Sequence, residues 1–342
     1  MIKNWFAAAL VAMLAAGCNG DKGGAAPGEL EDRPIRLKAA IIDRSMVDVG
    51  VSEGATRASV DGFNNTPIAF GVRKKVGTVI TIVHWNAVAT IYGNVVFTPQ
   101  QSFDPAIESY HMVGYNPRST QFNADKSVVT INLTGQEDLM VSDDKNPDPS
   151  VTVTNEVAFF SHKLAQLRFT IVNDPDNPFP MERIRTIAVY ADNWLSPLSD
   201  EAKVDVTTDV NNVTLSASLA SPLGYVMYAY SVDEGIATEN APTGLYISPG
   251  TQTDVAKVMF EAGKDIRLYI EWGDETSPLK DYDALLTINN PDNSLPYTIE
   301  GRSYLVTLRF NASQGLTINT PQVVGWDPGY NNGTSNITIN VR

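Results

Sequence analysis

Apolar and polar residues alternate in short segments along almost the whole chain. In the segment Lys126–Thr134, Val129, Ile131 and Leu133 fall on one side of an extended strand, and polar residues fall on the other. This period of two residues is typical of a β-strand that buries one face. Other segments rich in β-branched and aromatic residues are Val76–Trp85, Val88–Thr98, Leu164–Val172, Ile184–Ala191, Asn211–Leu219, Tyr225–Val232, Asp265–Trp272, Ser303–Phe310 and Asn336–Arg342. Each is predicted to be a strand.

Clusters of Gly, Pro, Asn and Asp separate these segments, and no stretch with a period of 3.6 residues is long enough for a dominant helix. The pattern predicts an all-β protein whose antiparallel sheets pack as sandwiches. The length of 342 residues favours two domains. The proline-rich run Asn173–Arg183 interrupts the strands, because proline removes a backbone donor. It predicts a boundary between an N-terminal sandwich, residues 58–176, and a C-terminal sandwich, residues 177–342.

The first residues have the pattern of an export signal. Lys3 precedes the apolar run WFAAALVAMLAAG, which is too short for a permanent membrane helix. The run ends in LAAGC, Leu14–Cys18, where small residues precede a cysteine. We interpret residues 1–18 as a lipoprotein signal peptide whose lipobox directs acylation of Cys18, which anchors the protein to a membrane. An ordinary secretory signal is the alternative. Residues 19–57 are predicted to form a tether and a removable first strand.

The composition of the chain limits both the classes of molecule that it can bind and the ways in which its fold is stabilised. The net charge of −14 argues against nucleic-acid binding, which needs a basic surface. Cys18 is the only cysteine, so the exported chain has no internal disulfide and depends on core packing for its stability.

Side chains that usually carry catalysis or bind metals are sparse. The three histidines, His84, His111 and His162, lack metal-ligand spacing, and the chain has neither a G-x-S-x-G elbow nor a P-loop. The acidic run Asp143–Ser150 resembles the start of a calcium loop but has proline where that loop needs glycine. We therefore predict no enzyme activity, no catalytic residue, no cofactor and no metal site.

One loop has the composition of a ligand-binding surface. In GWDPGYNNG, Gly325–Gly333, the aromatic rings of Trp326 and Tyr330 are suited to stacking on a sugar. The alternative is that Trp326 packs against the edge of a core.

Two alternating strands are predicted near the two ends of the sequence. Their apolar faces consist of Ile35, Leu37, Ala39 and Ile41 in the first and of Ile337, Ile339 and Val341 in the second. After the first strand, Arg57 stands between Thr56 and Ala58 in a small, polar segment, where one cut removes that strand. A sandwich that loses a strand exposes an apolar groove, which a strand of another chain can fill. Repeated head to tail, this contact builds a fibre.

Five motifs occur along the chain in the order typical of one family. They are the lipobox at Cys18, TRA at Thr56–Ala58 followed by Phe63, LTGQEDLMVS at Leu133–Ser142, FSHKLAQLRFTI at Phe160–Ile171, and IEGRSYLVTLRF…VVGWDPG within Ile299–Gly329. With them the chain resembles the fimbrillin family, the lipoprotein-exported pilins of type V pili in Bacteroidales. The resemblance implies two transthyretin-like, Greek-key β-sandwich domains in tandem. It also implies transport to the outer membrane and cell surface, trimming after an arginine, and assembly by strand exchange.

Transferred to this sequence, the resemblance implies a cut between Arg57 and Ala58, loss of the strand centred on Ile35–Ile41, and donation of the strand near Ile337–Val341. Alternative cut sites are Arg33, Arg36 and Arg44. The predicted function is that of a shaft or accessory (tip) subunit of a fimbria that supports adhesion. Its partners are other pilin subunits and, for a tip subunit, a host glycan or protein. Because the family also contains anchor subunits, the alternative is a permanently anchored surface lipoprotein that binds a glycan or host protein without polymerising.

Overall fold

The computed structural model describes residues 33–43, 59–61, 63–148, 156–176, 178, 183–192, 197–208, 212–218, 224–229, 249–250, 252–273, 280–288, 290 and 296–326. Within these residues all regular secondary structure is β, which confirms the predicted fold class, and none of them forms a helix that could cross a membrane. The strands are β1 (Leu37–Asp43), β2 (Ser59–Asp61), β3 (Thr66–Val76), β4 (Val79–Ala89), β5 (Asn94–Phe97), β6 (Ser109–Asn116), β7 (Gln121–Phe122), β8 (Val128–Asn132), β9 (Met140–Lys145), β10 (Val157–His162), β11 (Ala165–Asn173), β12 (Arg183–Ala191), β13 (Glu201–Asp205), β14 (Val213–Ser216), β15 (Gly224–Ala229), β16 (Gln252–Phe260), β17 (Ile266–Gly273), β18 (Lys280–Leu285), β19 (Ser303–Asn311), β20 (Gly315–Ile318) and β21 (Gln322–Val324).

The largest sheet has eight strands in the order β10-β9-β6-β3-β4-β5-β1-β2. Because β1 also pairs with β10 at the far end of this order, the sheet curls round and closes through β1. We call it the closed sheet. The side chains inside it form one core, which includes Phe70, Phe97 and Phe160. Closure removes the free edges that an open sheet would present to other chains.

A four-stranded sheet, β14-β13-β8-β7, covers part of the outside of the closed sheet. Val129 and Ile131 of this covering sheet share a core with Val113 and Tyr115 of β6. The two sheets approach closely at Gly71 of β3, where an added Cβ would lie 2.5 Å from the Cβ of Val206.

The two remaining sheets face each other around a separate core and form a sandwich. One sheet has the order β16-β11-β19-β20, with β21 also paired to β19, and the other has the order β15-β12-β17-β18. Phe169, Phe260, Trp272 and Tyr304 are among the large side chains between them. We call this pair of sheets the C-terminal sandwich.

Strand pairing crosses the position between residues 176 and 177 in both directions. β13 lies after this position but pairs with β8, with Ala202 opposite Ile131. β11 lies before it but pairs with β16 and β19 of the C-terminal sandwich. A division of the chain into units therefore has to assign β11, β13 and β14 by their pairing and not by their sequence position.

Candidate functional site

Neighbouring strands hold β1 on both of its sides. On one side it runs parallel to β10, with Ala39 opposite Ala158 and Ile41 opposite Phe160. On the other side its start pairs with β5 and its end pairs with β2, both antiparallel. The amide of Ala39 also donates a hydrogen bond to the carbonyl of Gly93 at 2.7 Å. β1 thus fills a slot bounded by β10, β5 and β2, which we call the β1 slot.

The apolar face of β1 is part of the core of the closed sheet. Ile35 is 1% exposed, and Leu37, Ala39 and Ile41 are each 4% exposed. The intervening side chains, Lys38, Ala40 and Ile42, are only partly buried. The period of two residues predicted from the sequence is therefore seen in the structure, and the slot selects apolar side chains at alternate positions.

Phe63 fixes the chain just after the TRA motif. Its side chain is 2% exposed and packs edge-on against Phe160, with ring centroids 5.2 Å apart. Phe160 lies on β10, the parallel partner of β1. The residues that follow the predicted cut are thus bound to the same core as the strand that precedes it.

Several sequence-predicted site residues lie outside the described residues: Cys18, Arg44, Arg57, Ala58, Tyr330, Ile337, Ile339 and Val341. The lipid anchor, the cut and the donor strand therefore stay predictions. The structure does define the strands on either side of the cut, because β1 ends at Asp43 and β2 begins at Ser59. The alternative cut sites Arg33 and Arg36 both precede β1.

Trp326, predicted as part of a ligand loop, is buried. Its side chain is 7% exposed, and its Nε1 donates a hydrogen bond to Oδ2 of Asp138 at 3.2 Å. Its ring stacks on His162, with centroids 3.9 Å apart and planes 19° from parallel. This position agrees with the alternative that Trp326 packs against a core, because one face of the ring is already covered by protein. The other predicted aromatic residue of the loop, Tyr330, lies outside the described residues.

Asp138 binds both Trp326 and His162, yet no sequence pattern singled it out. It is 1% exposed, and its Oδ1 accepts a hydrogen bond from Nδ1 of His162 at 2.7 Å. The neighbouring Glu137 instead accepts hydrogen bonds from Thr134 near the surface. Nothing local distinguishes two adjacent acids, so only the distant partners of Asp138 identify it.

His84 is bonded on both ring nitrogens. Its Nε2 donates to the carbonyl of Lys126 at 2.9 Å, so Nδ1 is left to accept from the hydroxyl of Tyr115 at 3.1 Å. Burial lowers the pKa of His84, and the hydrogen bond to the Lys126 carbonyl offsets part of this effect. Burial also raises the pKa of the Tyr115 hydroxyl, which keeps it protonated as a donor. The pair is a structural contact between the closed sheet and the turn before β8.

The acidic run that begins at Asp143 starts inside β9. Asp144 is bound by Arg73 and by Nδ1 of His111, the latter at 3.0 Å, whereas Asp143 pairs with Lys145 at 2.7 Å. The two adjacent carboxylates point to opposite faces, as residues in a strand do. Among the residues that the structure describes, no group of three or more His, Cys, Asp or Glu side chains is placed to hold a metal ion.

Several solved structures are similar to this chain at low identity. One, described as a cell adhesion protein from Bacteroides uniformis, has 15% identity and a TM-score of 0.49, covering 87% of this chain and 99% of that chain. Another, from Bacteroides ovatus and given the same description, has 13% identity and a TM-score of 0.48, covering 86% of this chain and 98% of that chain. A third, from Bacteroides eggerthii, has 12% identity and a TM-score of 0.45, covering 89% and 98%.

The family itself is shown by sequence. No curated protein matches this chain. The model of the fimbrillin-like family, however, matches residues 56–326, which is most of its length. The match begins at the TRA motif and ends at Trp326. The chain belongs to the fimbrillin-like family.

Proposed function

We propose that this protein is a structural subunit, shaft or accessory, of a cell-surface fimbria, and that its subunits join by exchange of a β-strand. One observation carries the proposal: β1 closes the largest sheet, yet residues 44–58, which contain Arg57, connect it to β2. A cut in that segment separates β1 from the chain that forms the rest of the slot. A strand of a second copy then takes the place of β1.

The β1 slot sets what the incoming strand must be. It holds Ile35, Leu37, Ala39 and Ile41 in the core. The segment near Ile337–Val341 has Ile or Val at the same period of two residues. Each such side chain contributes about 1.5–3 kcal/mol when buried, in addition to the backbone pairing. We therefore propose this segment as the donor, and we expect a filled slot to exchange its strand very slowly.

The position of β1 in the sequence distinguishes the cut sites that would release it from those that would not. A cut after Arg33 or Arg36 leaves β1 attached to the body, because both residues precede Leu37. Only a cut after Arg44 or after Arg57 detaches it. A cut after Arg57 leaves the new chain start next to β2 and close to Phe63, which is held in the core. We propose the bond between Arg57 and Ala58.

Export follows from the signal pattern. We propose that Cys18 is acylated, that the chain reaches the outer membrane as a lipoprotein, and that trimming then releases the body from its lipid. The assembled fimbria supports adhesion at the cell surface, with other subunits as the direct partners.

The proposal is tested by intact mass and N-terminal sequencing of the protein from its native cell surface, together with its migration on a gel without boiling. We expect a chain that begins at Ala58 and runs as a ladder that boiling collapses. A chain that begins at acylated Cys18 and runs only as a monomer contradicts the proposal.

Two arginine variants test the cut itself. Arg57→Ala should keep β1 and remain monomeric, whereas the matched variant Arg44→Ala should be trimmed and polymerise like the unaltered protein. The reverse pattern assigns the cut to Arg44. Normal polymers from both single variants and from the double variant exclude both sites.

The second candidate is a permanently anchored surface lipoprotein that binds a glycan or host protein. It is supported by the burial of β1, since an uncut chain with a filled slot is a complete folded body. The burial of Trp326 counts against this candidate, because Trp326 was one of the two residues predicted to contact a ligand. Retention of acylated Cys18 in the native protein is the result that favours it.

A further inference from the structure

Three sequence motifs that are far apart in the chain meet at one buried cluster. Leu133–Ser142 supplies Asp138, Phe160–Ile171 supplies His162, and the segment that ends the family match supplies Trp326. Their exposed fractions are 1%, 2% and 7%. Neither strand exchange nor trimming accounts for this convergence.

The cluster is joined through the carboxylate of Asp138. One oxygen accepts from Nδ1 of His162 at 2.7 Å and the other accepts from Nε1 of Trp326 at 3.2 Å. The indole and imidazole rings stack on each other at 3.9 Å. The side chain of Asn116 donates to the backbone carbonyl of Asp138 at 2.7 Å, which holds that loop against β6. A buried carboxylate bound on both oxygens holds both partners firmly, because releasing either one leaves a desolvated charge with fewer hydrogen bonds.

The cluster lies where the closed sheet meets the C-terminal sandwich. His162 ends β10, and β11 of the sandwich begins at Ala165. Backbone hydrogen bonds reinforce this junction, from Gly301 to the carbonyl of Leu164 at 2.9 Å and from Met259 to the carbonyl of Gly135 at 2.8 Å.

Trp326 connects the two sides of this junction. It follows β21, which pairs with β19 of the sandwich. Its side chain nevertheless belongs to the core on the outer face of the closed sheet, which includes Val141 of β9 and also Met259 of β16. The chain therefore leaves the sandwich and is pinned to the closed sheet immediately before residue 327.

We propose that Asp138, His162 and Trp326 form an anchor that ties the base of segment 327–342 to the closed sheet. The anchor sets where the segment leaves the body. If the segment is the donor strand, which rests on the proposed function, tension from a neighbouring subunit passes through Trp326 into the sheet that holds the β1 slot.

The anchor is tested on the uncut, monomeric full chain carrying Cys18→Ser, so neither trimming nor polymerisation is needed. Spin labels are attached at Thr81→Cys, an exposed position on β4, and at Gly325→Cys, the exposed neighbour of Trp326 where an added Cβ meets no atom within 4 Å, and the distance between them is measured by pulsed electron paramagnetic resonance. We expect a single narrow distribution in the parent. Trp326→Ala should broaden it, and Trp326→Phe, which keeps the stacking but loses the donor to Asp138, should broaden it less.

The matched control is Trp272→Ala. Trp272 is also 7% exposed but lies in the core of the C-terminal sandwich, away from the cluster. It should lower the melting temperature and leave the distance distribution unchanged. A distribution of equal width in the parent and both Trp326 variants, whether narrow or broad, overturns the anchor, as does equal broadening by Trp272→Ala.

If Trp326→Ala does not fold, a double-mutant cycle of Asp138→Asn and Trp326→Phe decides. The anchor predicts that the double variant loses less melting temperature than the sum of the two single losses, because the residues share one interaction. Additive losses overturn it. If the cluster passes these tests but the native protein is an uncut monomer, the proposed function fails and the anchor stands.

Discussion

The backbone of Gly114 lies directly against the ring of Phe160 in the core of the closed sheet. A Cβ added to Gly114 would come 2.3 Å from Cζ of Phe160, and the ring is completely buried. Phe160 also packs edge-on against Phe63 and Phe70, so its ring has little room to move. We expect Gly114→Ala to lower the free energy of unfolding by about 1–3 kcal/mol, as overpacking does. Denaturant unfolding measures this, and Gly325→Ala, where an added Cβ meets nothing within 4 Å, is the control. Equal stability of the two variants contradicts the close packing.

Ile41 and Ile42 are adjacent, identical side chains on opposite faces of β1. Ile41 is 4% exposed in the core, whereas Ile42 is only partly buried. In the uncut chain, Ile41→Ala should therefore cost about 2–5 kcal/mol of unfolding free energy, and Ile42→Ala clearly less. Thermal unfolding of the two variants checks this. In the trimmed protein, neither substitution should affect the polymer, because β1 has gone. A polymer whose stability depends on Ile41 means that β1 is retained.

Asp144 and Asp143 provide a second adjacent pair with different surroundings. The side chain of Asp144 is 16% exposed and is bound by Arg73 and His111, whereas that of Asp143 is 44% exposed. Asp144→Asn should destabilise the fold by about 1–3 kcal/mol, because it removes charged hydrogen bonds from a largely buried group. Asp143→Asn should cost about 0–1 kcal/mol, as exposed ion pairs do. Chemical denaturation at neutral pH distinguishes them. A loss for Asp144→Asn that is no larger than the loss for Asp143→Asn contradicts the expected contribution of the Arg73 and His111 contacts.

His84 should make stability depend on pH. Burial holds its pKa in the folded state below the ordinary value of 6.5. Because its folded-state pKa is depressed, the histidine binds a proton more readily in the unfolded chain than in the folded one. The contribution of neutral His84 to the free energy of unfolding is therefore complete above pH 6.5. It is lost as the pH falls from 6.5 through the folded-state pKa. We expect the unfolding free energy to fall over that window, and to fall less in His84→Gln.

The titration of His84 can be followed directly by nuclear magnetic resonance. In Tyr115→Phe, the hydroxyl that donates to Nδ1 is missing, so the neutral ring loses a partner and the pKa of His84 should rise toward its ordinary value. A pKa of 6.5 or higher in the unaltered protein contradicts the burial effect.

Much of the local structure follows from neighbouring residues. The period of two in Lys126–Thr134 matches the burial of Val129 and Ile131 on β8, and the same period in β1 predicts its buried face. These predictions succeed because alternate side chains of a strand face opposite environments, so a few neighbouring residues are enough to show the alternation of apolar and polar positions. The same reasoning places Asp143 and Asp144 on opposite faces, although their partners could not be named.

Which strands pair with each other cannot be predicted from neighbouring residues, because pairing depends on which distant surfaces fit together. The sequence by itself determined the all-β class, the alternating face of β1 and the motifs of the family. Only the tertiary structure decided that β1 closes a sheet, that β13 pairs with β8 across the predicted boundary, and that Asp138, rather than Glu137, binds His162 and Trp326. The physical reason is that burial is set locally by the alternation of side chains, whereas strand neighbours and buried polar contacts are chosen by the whole chain as its cores pack.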